Sequence, residues 1–370
     1  MVLGELDTLS PGMEIVSTGR SLEVPVGNSL LGRVIDGKGE PLDGLGRIIP
    51  EAKKKVDSKP PNPLSRKRIK ERINTGIKSV DAFNTLGKGQ RMGIFAGSGV
   101  GKSTLLGMIA KNTEADVNVI ALIGERGREV KEFIEKELGD EGLSKSVLIV
   151  ATSDAPPLVK VKAALTATTI AEHFASSGLD VMLMMDSATR LAMAQREVGL
   201  TIGEPPTAKG YTPSVWTLFQ RTMERAGNFE SGSISGLYTI LVEGDDFTEP
   251  VTDNARGILD GHLMLTRELA SQGHYPAIDV LESVSRVMSD IVSEEQLALA
   301  SELKKYLAAY KSAEDLISVG AYQKGTNKTT DAAIQIYPKL TDFLKQSIGE
   351  ESLTTEELLE QMKLILKPHT

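Results

Sequence analysis

The nine residues Ala96-Gly97-Ser98-Gly99-Val100-Gly101-Lys102-Ser103-Thr104 constrain this chain more than any other feature. They follow the apolar run Met92–Ala96 and precede a stretch of helical period, so the spacing predicts strand, glycine-rich turn, helix. Glycines let consecutive backbone N–H groups turn inward onto phosphate oxygens, and a helix N-terminus behind them favours anions through its dipole. Lysine and serine at the helix start add a cation for the outer phosphates and a hydroxyl ligand for Mg²⁺. The strict pattern G-x(4)-G-K-[ST] begins with glycine, and that place here is Ala96. The remaining glycines and the Lys-Ser pair still assign phosphate binding to Gly97, Ser98, Gly99, Val100, Gly101, Lys102, Ser103 and Thr104.

Such a loop needs a sheet to hang from. Met92–Ala96, Val117–Ile123, Val147–Ala151, Val181–Met185 and Tyr238–Val242 are short apolar runs, the pattern of parallel strands buried on both faces. Between them, Arg128–Leu138 and Leu158–Ser176 have helical period and length. Residues 73–288 are therefore expected to form an α/β doubly wound sheet of the P-loop NTPase kind. Residues 289–370 show amphipathic helices at Glu294–Tyr310, Thr330–Gln346 and Thr355–Leu366 and no strand pattern, which predicts a C-terminal helical domain. Residues 1–45 carry short strand-like segments, Glu14–Ser17 and Leu22–Val26, too few to bury a core alone. Residues 46–72, with Pro50, Pro60, Pro61 and Pro63 beside Lys53-Lys54-Lys55 and Arg66-Lys67-Arg68, read as a solvated basic linker.

Composition narrows the chemistry. At 40% hydrophobic and 25% charged residues the chain is too apolar for a disordered one. Its 42 basic against 50 acidic residues give a net charge of −8, which disfavours a sequence-independent nucleic-acid binder. The absence of cysteine excludes disulfides, thiolate metal sites and cysteine nucleophiles, and fits a reducing compartment. No Lys/Arg-led signal peptide precedes Arg20 and no apolar run approaches a membrane span, so a cytoplasmic location is expected. Trp216, in the helical stretch Pro213–Arg225, reads as core, and His262 and His274 lack metal-ligand spacing and read as structural.

Two acids extend the phosphate site. Asp186 ends an apolar strand, where a P-loop requires a carboxylate for its magnesium shell. Alone it reads equally as a helix N-cap, because Ser187 and a helix follow. Glu125, in Gly124-Glu125-Arg126-Gly127-Arg128-Glu129, follows the strand Val117–Ile123 at the carboxyl edge, where ligands bind in such sheets. It reads either as a group that orients water or as an exposed loop carboxylate.

The loop, the Gly-Glu-Arg motif and Pro276-Ala277-Ile278-Asp279-Val280-Leu281-Glu282-Ser283-Val284-Ser285-Arg286 together resemble the α/β subunits of rotary ATP synthases. Leu31–Gly37, the Ala96 form of the loop, Gly203-Glu204-Pro205-Pro206 and Asp245-Asp246-Phe247-Thr248-Glu249-Pro250 are similar to the ATPases of type III protein export. Gly320–Gly325 and Ala333-Ile334-Gln335 resemble the flagellum-specific members most. The resemblance runs from about residue 12 to the end. It implies a RecA-like fold, ATP as substrate, Mg²⁺ as cofactor, and an N-terminal β-barrel of which residues 1–45 are the last part of a truncated domain.

The same resemblance implies roles. Glu125 corresponds to the water-activating glutamate, Arg126 and Arg190 to phosphate contacts, Glu129 to a supporting acid, and Tyr275 to the aromatic against adenine, with Tyr322 as a second neighbour. Val284-Ser285-Arg286 corresponds to an arginine finger that another subunit donates, so one chain carrying both Glu125 and Arg286 implies a homo-oligomeric ring, most similar to a hexamer, or a monomer in this shortened form. Export of flagellar proteins is the implied function, with stalk and stator proteins, export substrates and chaperones as partners, at the inner face of the membrane export apparatus. Alternatives are a virulence-type secretion ATPase and a nucleotide-binding ring subunit that does not turn over. Non-catalytic relatives carry glutamine at the position of Glu125. A related RNA translocase is disfavoured by the acidic balance.

Overall fold

The computed structural model of the chain describes residues 3, 10–242, 244, 246 and 248–367. Along the chain run β1 (Glu23–Val26), β2 (Val34–Asp36), β3 (Ala52–Lys55), β4 (Arg72–Ile73), α1 (Lys78–Phe83), β5 (Leu86–Gly87), β6 (Arg91–Ala96) and α2 (Lys102–Asn112). Next come β7 (Val117–Ile123), α3 (Gly127–Glu132), a π-helical stretch (Phe133–Leu138), α4 (Gly139–Ser144), β8 (Ser146–Ala151), α5 (Pro157–Ser176), β9 (Asp180–Asp186), α6 (Ala188–Thr201) and α7 (Pro213–Met223). The rest is β10 (Gly227–Asn228), β11 (Ser233–Leu241), α8 (Pro250–Ile258), β12 (Gly261–Leu265), α9 (Arg267–Ser271), β13 (Ile278–Ser285), α10 (Met288–Ile291), α11 (Glu294–Ser318), α12 (Lys328–Leu344) and α13 (Thr355–Leu366).

The main sheet has the order β13-β12-β6-β11-β9-β7-β8-β2, with short β10 beside β11. From β12 to β2 the neighbours are parallel, and only β13 and β10 run antiparallel. The apolar runs become strands because both their faces are covered. In β7, Val119, Ala121 and Ile123 pack with α5, α6 and α7, while Ile120 and Leu122 face the layer containing α2. Each fully buried Leu or Ile contributes about 1.5–3 kcal/mol by leaving water. The register aligns Ala96 with Leu241, Asp186 with Leu122, and Ile123 with Ala151. The residues after β6, β7, β8, β9 and β11 thus emerge together at one carboxyl edge.

The N-terminal expectations are corrected in three places. Residues Glu14–Ser17 form no strand; Ile15 is 94% exposed and no described segment pairs with it. β2 joins the main sheet as its edge, parallel to β8, so this part of residues 1–45 completes the α/β sheet rather than standing apart. The stretch expected as a solvated linker contains β3, paired antiparallel with β1 in register Glu23 to Lys55. It is also laced to the sheet. Fully buried Arg225 donates to Val56 O at 3.1 Å and forks onto Glu172 at 2.7 Å, while Arg66 donates to Ala226 O at 2.7 Å. Lysines can occupy β3 because its side chains are mostly exposed while its backbone pairs.

The three C-terminal helices pack on one another and on α1, a helix with every residue buried. Phe83 meets Phe343 edge to face with ring centres 6.4 Å apart, and Gln296 donates from α11 to Asp81 O at 2.8 Å. α11 extends eight residues beyond the expected end at Tyr310, and α12 runs through Pro338. Trp216 is half-buried against Tyr211, with ring centres 5.2 Å apart. His262 bonds Glu282 O at 2.9 Å and His274 is buried, and among the described residues no cluster of three or more His, Asp or Glu could hold a metal. No helix among the described residues is long and apolar enough to cross a membrane.

Candidate active site

The loop between β6 and α2 turns through Gly99 (φ +80°) and Gly101 (φ +89°), conformations that side-chain-bearing residues rarely adopt. No side chain caps α2, and among the described residues none of the amides of residues 99–104 has a partner. A row of unpaired N–H groups at a helix N-terminus is an anion site by construction. The loop lines a cavity of about 510 Å³ together with Glu125, Arg126, Glu129, Ser153 and Arg190. Ser103 is exposed to it. Val100, expected among the phosphate-binding residues, turns its side chain into the core at 2% exposure, so only its amide is available to a ligand.

Lys102 lies between two acids. Its Nζ bonds Asp186 Oδ1 and stands 3.8 Å from Glu125 Oε1. Asp186, 2% exposed at the end of β9, also accepts the Thr239 hydroxyl on Oδ1 at 2.9 Å, while its Oδ2 has no hydrogen bond among the described residues. The N-cap of α6 is Ser187, which accepts from Arg190 N at 3.2 Å, so Asp186 is left free of the capping role. Glu125 follows β7 on a tight turn at Gly124 (φ +75°), against which the aliphatic part of Arg190 packs. Burial, and then the negative charge of Asp186, push its carboxyl up to about 7, against the opposing pull of Lys102. Glu129 lines the same cavity, adds negative charge beside Glu125 and pairs with exposed Arg126 at 3.2 Å.

A second cavity of about 840 Å³ adjoins the first, and Gly101 and Thr104 line both. Its walls include Leu105, Met108, Pro276 and the half-exposed ring of Tyr275, which lies 3.4 Å from where a Cβ on Gly101 would stand. Tyr322 is not part of it; its hydroxyl donates to Asp331 Oδ1 at 3.0 Å and Asn327 O at 3.1 Å. Arg286 is also away from the loop. β13 runs back so that Ser285 pairs with Gly261, while its start, Ile278, pairs with Leu265, whose other neighbour is Ala96. Arg286 therefore sits exposed at the amino-terminal edge, donating to Arg256 O at 3.1 Å.

Comparison with known proteins follows the same residues. Residues 76–285 match the ATP synthase alpha/beta family, nucleotide-binding domain, and residues 292–364 match the T3SS EscN ATPase C-terminal domain. The chain belongs to the ATP synthase alpha/beta family. It is 55% identical to the flagellum-specific ATP synthase of Bacillus subtilis and 51% to the type 3 secretion system ATPase of Xanthomonas euvesicatoria, each match covering 96% of this chain and 81% of the relative. A prototypical ATPase from the type III secretion system of pathogenic bacteria superposes with a TM-score of 0.89 at 46% identity, over 94% of this chain and all of that one. The assembled ATPase EscN of enteropathogenic E. coli gives 0.90 at 44%, over 97% and 88% of the two chains. EscN has also been solved in complex with its central stalk EscO.

Within this member of the family the donor set suits the expected metal. Ser103 and Asp186 offer hard oxygen atoms, too few for an all-protein cage but of the kind that suits Mg²⁺, which keeps waters and substrate phosphates in its shell. Sequence reasoning missed Thr239, whose hydroxyl holds Asp186, and Thr189, which accepts Leu241 N at 2.9 Å and ties α6 to β11. Threonine inside the apolar run Tyr238–Val242 was the signal available for the first. Asp245 and Phe247 of the Asp-Asp-Phe-Thr-Glu-Pro stretch lie outside the described residues.

Proposed function

We propose that this chain is a Mg²⁺-dependent ATPase whose hydrolysis of ATP to ADP and phosphate energises export of flagellar proteins through a type III secretion apparatus. The observation that carries the catalytic part is the pairing of Lys102 with Glu125 and Asp186 at the mouth of an unpaired amide loop. Incoming phosphates replace the two acids as partners of Lys102, while the loop amides take the remaining oxygens. Glu125, freed at the outer end of the cavity, orients water and accepts its proton. Arg126 and Arg190 add positive charge beside the outer phosphate, and Tyr275 stacks on adenine in the second cavity. Ser103 and Asp186 would hold a magnesium ion, which would supply positive charge against the negative charge of the phosphates. The flagellar reading is supported by the higher identity to the Bacillus subtilis relative, 55% against 51% for the Xanthomonas secretion ATPase.

In this reading the chain works as a homo-oligomeric ring, a hexamer, at the cytoplasmic face of the export apparatus. Arg286 completes the site of the neighbouring subunit, and a stalk, a stator, export substrates and chaperones are its partners. Placement of Arg286 on the edge opposite its own loop supports donation across an interface. The test is steady-state Mg²⁺-ATP hydrolysis by the chain and by Glu125→Gln, with nucleotide binding measured by equilibrium dialysis. The variant is expected to bind ATP and lose about 10²–10⁴ in rate. Undiminished hydrolysis by Glu125→Gln would overturn the assignment.

A further inference from the structure

At the amino-terminal edge of the sheet, Arg286 is held by residues 256–260, the end of α8 and its link to β12. They supply both of its acceptors, Asp260 O to the backbone N–H at 3.0 Å and Arg256 O to the guanidinium at 3.1 Å. Asp260 is fixed in turn by Arg91, the first residue of β6. Its Oδ2 accepts Arg91 N at 3.1 Å and Nε at 3.0 Å, its Oδ1 accepts Nη2 at 3.1 Å, and its own N–H donates to Arg91 O at 2.8 Å. Arg91 Nη1 bonds Glu224, so the guanidinium is anchored on both sides. Beside it, fully buried Gln90 donates through Nε2 to Asp260 O at 3.2 Å and to Ser285 Oγ at 3.0 Å. Two consecutive residues at the start of β6 thus grip the backbone on either side of Arg286, and the same strand ends in the phosphate loop.

We infer that Arg91 is a positioning residue for Arg286, acting through the carboxylate of Asp260, with Gln90 steadying the same turn. This rests on the reading of Arg286 as a group donated to the neighbouring subunit. Arg286 is exposed, and among the described residues its guanidinium has one hydrogen bond, to Arg256 O, so its aim depends on where that carbonyl and its own backbone stand. A carboxylate forked by one guanidinium is fixed in angle as well as distance, which a lysine in the same place does not reproduce. The fork is not needed to pair the strands, because the register of β6 with β12 runs from Gly93 to Ala96 without it. A tie that only stabilised the fold would be felt in the altered chain's own site. A support for Arg286 is felt in the site of the next subunit.

The test is steady-state Mg²⁺-ATP hydrolysis by the full chain, by Arg91→Lys, and by equal, exchanged mixtures of Arg91→Lys with Glu125→Gln and with Arg286→Ala. Arg91→Lys alone should turn over about ten- to a hundredfold more slowly than the parent, the scale of effect that a shift of about 1 Å at a reacting group produces. Its binding of Mg²⁺-ADP in equilibrium dialysis should match the parent's, because its own phosphate loop is untouched. Mixed with Glu125→Gln it should rise to about a quarter of the parent rate, since one interface in about four joins an intact Glu125 to a well-placed Arg286. Mixed with Arg286→Ala it should not exceed the mean of the two alone. Asp260→Asn, which removes one acceptor from the same fork, carries the same expectations should Arg91→Lys fail to fold. Recovery with Arg286→Ala, an unchanged rate for Arg91→Lys, or no recovery with Glu125→Gln where Arg286→Ala does recover with it, would overturn the inference. If Arg286→Ala and Glu125→Gln do not recover with each other, the donation of Arg286 across an interface falls instead, so the two failures are distinguishable.

Discussion

Glu125 carries a charge problem whose pH dependence can be worked out. Burial and the neighbouring Asp186 hold its proton to about pH 7 in the folded chain, against an ordinary value of 4.5. Between those values the native state binds the proton that the unfolded chain has released, so this group's contribution to stability falls as pH rises through the window and is level above it. Glu125→Gln has no proton to lose. Its melting temperature relative to the parent should gain steadily from pH 4.5 to 7 and stay constant beyond, measured by thermal melts without nucleotide. A pH-independent difference would show that the site does not confine the carboxylate as described. At this scale the sequence was most legible where backbone chemistry dictates the residue. The glycines and the Lys-Ser pair are recognisable because a left-handed turn and an anion cradle allow few alternatives. Thr239 escaped notice because a hydroxyl inside an apolar run marks a polar contact without naming its partner, which is Asp186 on the neighbouring strand.

Helix α2 must approach the π-helical stretch Phe133–Leu138 closely, and Gly107 is where they meet. A Cβ there would stand 2.6 Å from Glu137 Cβ and 3.0 Å from its carbonyl oxygen, so backbone as well as side chain would have to move. Gly107→Ala should cost about 1–3 kcal/mol in denaturant unfolding and weaken nucleotide binding, because the displaced helix carries Lys102 and Ser103. Gly257, in α8, has nothing within 4 Å of the same position. There the substitution should stabilise by roughly 0.5–1 kcal/mol, through the lower chain entropy of alanine in a helix. Equal effects at the two glycines would refute the packing argument. The five runs expected as strands are strands, since burial on both faces leaves a continuous apolar signature that single-sequence reading detects. β12 and β13 were hidden by Gly261, His262 and the polar alternation of an edge strand, and β2 by its length of three residues and its pairing with a strand more than a hundred residues away. The lysine run of β3 concealed a strand because charge on an exposed edge reads as solvated coil.

At the scale of the molecule, the proposed function puts two half-sites of one chain on opposite edges of one sheet. Glu125 emerges at the carboxyl edge, and Arg286 follows β13 at the other, separated by roughly 13 Å or more of strand. A guanidinium placed there stabilises charge on a phosphoryl group only if a second copy brings its carboxyl edge alongside, and such a contribution is typically worth roughly 10³–10⁵ in rate. Arg286→Ala and Glu125→Gln should each be nearly inactive alone. Mixed in equal amounts and allowed to exchange, they should recover about a quarter of the parent rate, because a head-to-tail ring of randomly mixed subunits places an intact Glu125 against an intact Arg286 at one interface in about four. The measurement is hydrolysis by the mixture against each variant at the same total concentration. If Arg286 served only its own chain, every molecule in the mixture would lack one essential group and the rate would stay at the sum of the two alone.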